Sequence, residues 1–107
     1  MNQFFFKTHQ LMSGQATPYT GNYVLNSLAR KASLDVRASG TNGTNPTIKL
    51  FTLSPFDGSD IEYFSKTINS DGYYHFEVTG LPAPHSKAGS QGVTNSGTFW
   101  VALHQQN

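Results

Sequence analysis

Apolar and polar residues alternate along this chain in short runs, and no stretch shows the three-to-four spacing of a helix. Ala32, Leu34 and Val36 alternate with Ser33, Asp35 and Arg37, the pattern of a strand with one face on a core and the other in water. Thr47 to Leu53 (TIKLFTL) puts Ile48 and Leu50 on one face and Phe51 and Leu53 on the other, as a more central strand does. Asp60 to Ile68 (DIEYFSKTI) is a further strand. In Gly72 to Val78 (GYYHFEV), Tyr74, Phe76 and Val78 share one side, and Tyr73, His75 and Glu77 the other. Thr98 to His104 (TFWVALH) turns Phe99, Val101 and Leu103 inward, with Trp100, Ala102 and His104 opposite. Asn22 to Asn26 is a short strand followed by a brief turn or a single helical turn at Ser27 to Arg30.

Gly, Asn, Pro and Asp punctuate these runs. Turns are expected at Gly40 to Pro46 and at Ser54 to Asp60, and Asn69 to Gly72 (NSDG) predicts a hairpin between paired strands. Leu81 to Pro84 ends a strand, because each proline lacks an amide donor. His85 to Gly97 (HSKAGSQGVTNSG) holds almost nothing to bury and reads as a long exposed loop, mobile or ordered by a partner. Residues 1–20 are either an arm or the first strand. Gln3 to Lys7 fits the strand reading, while Phe4, Phe5 and Phe6, with the turn-rich Ser13 to Gly21 behind them, fit an arm docked on a neighbouring subunit. Residues 21–107 form a single domain. The sum is an all-β chain of about seven strands: an antiparallel β-sandwich, jelly-roll or immunoglobulin-like, with a barrel as second choice.

Composition narrows the function. With seven basic and six acidic residues in 107, the chain has no field of one sign to draw it to nucleic acid or an anionic membrane. It has no cysteine, so neither disulfides nor thiolate metal sites hold it together. No apolar run approaches the roughly 18 residues of a membrane span, and MNQFFFKTHQLM lacks the pattern of an export signal. A protein made in the cytoplasm yet built like an extracellular β domain suits a component that leaves the cell inside an assembled particle.

Candidate chemistry is sparse. His9, His75, His85 and His104 have no metal-ligand spacing, although His75 and His104 could meet across adjacent strands. Asp57, Asp60 and Glu62 match no specific calcium loop and read as a turn with solvated acids. There is no nucleophile elbow, phosphate-binding loop or carboxylate pair in an apolar setting. The sequence therefore predicts no catalytic, metal or cofactor-binding residue. A small hydrolase ranks last among the readings and would need a cleft gathering His75 or His104 with an acid. Tyr63, Tyr73 and Trp100 face away from the predicted core. They either cover a second buried face or a subunit contact, or offer flat rings to a sugar or a protein.

Leu34-Asp35-Val36, then Gly43-Thr44-Asn45-Pro46-Thr47, then Ser54-Pro55-Phe56-Asp57-Gly58, with a closing TFWVALH strand, give the region from Val24 to Leu103 a recognisable signature. It resembles small β-sandwich proteins encoded among the structural genes of tailed bacteriophages. The resemblance implies a noncatalytic accessory protein of the virion, such as a capsid decoration or other head- or tail-associated subunit. Its partners would be the major capsid or other virion proteins and further copies of itself. The interface candidates are Phe4, Phe5, Phe6, Tyr63, Tyr73 and Trp100. The alternative is a carbohydrate-binding module or adhesin that uses the exposed aromatics on a glycan.

Overall fold

The computed structural model describes residues 6–25, 31–41, 43–78 and 85–106. Its strands are β1 (Phe6–Ala16), β2 (Tyr19–Thr20), β3 (Val24–Leu25), β4 (Lys31–Ser39), β5 (Thr47–Leu53), β6 (Asp60–Thr67), β7 (Gly72–Val78), β8 (His85–Gln91) and β9 (Thr98–Gln106). They form two antiparallel sheets, one ordered β1-β9-β4-β7 and the other β2-β8-β5-β6, with β3 also paired to β8. Pairing is nested along the chain: β1 with β9, β2 and β3 with β8, β4 with β7, and β5 with β6.

The alternation read from sequence holds in β4, β5, β7 and β9. Leu34, Val36, Phe99, Val101 and Leu103 from the first sheet meet Ile48, Leu50 and Ala88 from the second, all at or near zero exposure. Burying each large side chain of this set is worth about 1.5–3 kcal/mol relative to leaving it in water. That shared core leaves each sheet one outer face.

Four expectations are corrected. The loop expected at His85 to Gly97 is strand β8 through Gln91, lying between β5 and the β2 and β3 pair. Its inward side chains, Ser86, Ala88 and Ser90, are small, which lets large residues of the facing sheet fill the space. Lys87, on the outer side, is only 11% exposed. Its ammonium lies 4.6 Å from the Tyr23 ring centroid and 2.6 Å from Asp60 Oδ2. Asp60 is thus paired rather than simply solvated, and Glu62 likewise pairs with Lys49 at 2.7 Å.

Second, the Asp-Gly turn joins the two sheets instead of two paired strands, since β6 pairs with β5 and β7 with β4. Turn chemistry reverses the chain, but burial chooses the partner. Asp71 accepts hydrogen bonds from Thr41 N and Oγ1, both at 2.9 Å, and so ties this turn to the loop after β4. Third, the turn-rich Ser13 to Gly21 is largely strand, because β1 continues to Ala16 along β9. Fourth, the described residues hold nine strands, two of them only two residues long, where about seven were expected. Phe4, Phe5, Ser27 to Arg30 and Leu81 to Pro84 lie outside the described residues, and Phe6 opens β1.

Candidate functional site on the outer face of the first sheet

Outward residues of β1, β9, β4 and β7 fall into rows set by strand register. One row is Ser13, Trp100, Arg37 and Tyr73; the next is Gln10, Ala102, Asp35 and His75; the third is Thr8, His104, Ser33 and Glu77. Ala102 is the smallest residue among them, and a shallow trough of about 700 Å³ opens over it, flanked by Trp100, Tyr73, His75 and Thr8.

Aromatic groups and a cation form the first row. The Arg37 guanidinium carbon lies 4.5 Å from the Trp100 ring centroid and 5.7 Å from that of Tyr73. Stacking of this kind holds the planar fork in place while leaving its N–H edge available. Arg37 has no carboxylate partner among the described residues. Tyr73 is 81% exposed. Trp100 is only partly exposed, since Gly14 packs on it: a Cβ built there would lie 3.4 Å from indole Nε1. Register shifts between Gln10 and Met12 and between Ser13 and Gln15 leave Leu11 and Gly14 as extra residues in β1. The second bulge, with Gly14 at φ +69°, brings bare backbone against the indole.

The second and third rows form a polar chain. His75 Nδ1 lies 2.6 Å from Asp35 Oδ1, and His104 Nε2 lies 2.5 Å from Asp35 Oδ2. His75 Nε2 reaches Glu77 at 3.3 Å, and His104 Nδ1 and Thr8 Oγ1 are hydrogen-bonded at 2.8 Å. The two histidines are not on adjacent strands; β4 runs between them, and Asp35 joins them. The structure therefore gathers both with an acid, in an open trough and not an enclosed cleft. Among the described residues no group of three or more His, Asp or Glu is arranged to hold a metal ion.

Hydrogen bonding to Asp35, and then to Glu77, raises the His75 pKa above 6.5. Partial burial opposes ionisation of Asp35, but the bonds to His75 and His104 outweigh it and hold the carboxyl below 3.8. The stability added by the protonated His75 is complete below pH 6.5 and is lost as pH rises through the raised folded pKa. The share from Asp35 is complete above pH 3.8 and is lost as pH falls through the lowered value. By NMR, the His75 ring protons should titrate above pH 6.5 and return toward it in Asp35→Asn. Titration at or below 6.5 in the unmodified protein would contradict the contact.

Tyr63 lies elsewhere. Leu50 pairs with Phe64 but Phe51 with Glu62, so Tyr63 is the extra residue of a bulge, and it packs against the core beside Phe64. Its hydroxyl meets Ser86 Oγ at 2.8 Å, and burial raises its pKa against the opposing effect of that bond. It belongs to the buried side, not to the platform with Tyr73 and Trp100. Sequence reading missed Arg37, Asp35 and His75 as a group because Asp35 and Arg37 stand on β4 and His75 on β7, strands whose pairing the sequence does not give. The available signal was their place on the polar sides of β4 and β7.

The chain matches no protein-family model and no curated protein. Among solved structures it is similar to the SPBc2 prophage-derived protein YomS, with a TM-score of 0.58, 15% identity, and coverage of 100% of this chain and 97% of that one. The fold is shared with that prophage-derived protein. PirA is also similar, with a TM-score of 0.50, 16% identity, and coverage of 100% and 95%. At these identities the likeness is one of fold.

Proposed function

We propose that this chain is a noncatalytic structural protein of a bacteriophage particle, a head- or tail-associated accessory subunit of the capsid-decoration kind that binds the protein lattice of the virion. The observation that carries this reading is the fold it shares, over the whole chain, with a prophage-derived protein. The nested pairing of β1 with β9, β2 and β3 with β8, β4 with β7 and β5 with β6 supports a jelly roll, an architecture common in capsids. The open outer face, where water competes for every polar group, supports recognition over catalysis. Many copies on a lattice, self-associated or not, bind usefully through modest contacts because each attachment raises the effective concentration of the next.

Phe56 is the best-defined candidate for the lattice contact. It is 95% exposed at the tip between β5 and β6. The turn beneath it is braced, with Ser54 N donating to Ser59 O at 2.8 Å and Gly58 N to Ser54 O at 3.0 Å. Asp57 Oδ1 accepts from Ser59 N at 3.0 Å and from Ser59 Oγ at 2.7 Å. A turn backbone already held in place spares part of the ordering entropy of docking. Phe4, Phe5, Phe6, Tyr73 and Trp100 are further candidates.

Mass spectrometry of gradient-purified particles should find the protein, and Phe56→Ala should weaken its re-association with stripped particles about tenfold. Unfolding free energy should stay within about 0.5 kcal/mol, as for other exposed sites. Absence of the protein from purified particles would end the reading.

A further inference from the structure

The cationic fork held between Trp100 and Tyr73, beside a row of hydrogen-bonding groups, has no carboxylate partner among the described residues. We infer that this trough is a binding site for an acidic saccharide, with Arg37 receiving its carboxylate. The site rests on its own geometry and stands whether or not the chain resides in a particle.

Arg37 presents N–H donors in a planar fork, the geometry that pairs bidentately with a carboxylate. Trp100 is a positioning residue: its indole, packed on Gly14, fixes the guanidinium 4.5 Å from the ring centroid. Tyr73 is the exposed flat ring on which a sugar face stacks. Asp35 lies two residues along β4 from Arg37, so the rows repeat at about 6.6 Å, near the span of one pyranose ring with its substituents. There the Asp35 oxygens and the His75 ring meet sugar hydroxyls. Each Asp35 oxygen is engaged by an imidazole nitrogen, His75 Nδ1 at 2.6 Å and His104 Nε2 at 2.5 Å, so the carboxylate bound at Arg37 does not face a bare anion. Ala102 leaves room for the ring above the floor.

Charge and shape favour a saccharide over an acidic peptide. The backbone of this sheet interior is engaged in its own ladders, so an extended peptide gains no added-strand pairing on the face. The trough is one open depression, and a hydroxylated chain needs only a flat ring and a row of polar groups.

The test is a glycan array carrying uronate- and sialate-terminated glycans and their neutral counterparts, probed with purified protein, followed by calorimetry on the strongest hit. Acidic glycans should bind at least tenfold more tightly than neutral ones. Arg37→Gln should weaken the acidic hit about tenfold or more and abolish that preference. Tyr73→Ala should weaken acidic and neutral glycans alike, and Ala102→Phe should close the site. Thermal melting of Tyr73→Ala and Arg37→Gln monitors folding. The inference is overturned if no acidic glycan binds above the Arg37→Gln background, if neutral glycans bind equally well, or if a glutamate-rich peptide binds and the glycans do not.

Discussion

Phe99→Ala is expected to lower the unfolding free energy by about 3–5 kcal/mol, the range for emptying a buried aromatic site. Phe99 lies on β9, paired on one side with Gln15 of β1 and on the other with Ala38 of β4, and is 0% exposed. Its ring also closes the end of the core, since a Cβ on Gly97 would stand 3.1 Å from ring atoms Cε2 and Cζ. Two paired neighbours hold the backbone there, so the sheet cannot collapse into the void. A domain of this size has only about 5–15 kcal/mol to lose, so the variant should sit close to the folding threshold. Urea denaturation should show a lower midpoint with an unchanged slope. A loss below about 1 kcal/mol would mean that the two sheets do not share this core.

Gly14→Val is expected to cost about 2–3 kcal/mol and to redden the fluorescence of Trp100, the chain's one tryptophan. Part of the cost is backbone strain: φ +69° is a left-handed conformation that a β-branched residue adopts at about 1–2 kcal/mol. The rest comes from the indole, 3.4–3.5 Å from the added Cβ and unable to stay put once γ carbons follow. Gly43→Val supplies the control, because Gly43 has a nearly identical φ of +71° but nothing within 4 Å of its Cβ position. The difference between the two variants measures the indole contact. Equal losses and unchanged emission would show that Gly14 does not position Trp100. As Trp100 in turn holds Arg37, Gly14→Val also tests how the trough is supported.

Much of the first sheet was legible in advance because the inward and outward sides of a strand depend on nothing but alternation. Ala102 and Asp35 could be assigned to an outer face from β9 and β4 alone. Tyr63 could not be placed, since a bulge opposite Leu50 and Phe51 resets the alternation and only the pairing reveals it. Strand β8 was invisible for a different reason. His-Ser-Lys-Ala-Gly-Ser-Gln has little strand propensity and no large apolar group. It is extended because neighbours on both sides satisfy its backbone groups.

By itself the sequence determined an all-β chain, the faces of four strands and the absence of a field of one charge, because alternation, turn chemistry and net charge are local or additive. Tertiary structure alone decided that Asp35 would lie between His75 and His104, and Arg37 between Trp100 and Tyr73. These residues are far apart in the chain. Only burial of a common core fixes which strands become neighbours and in what register.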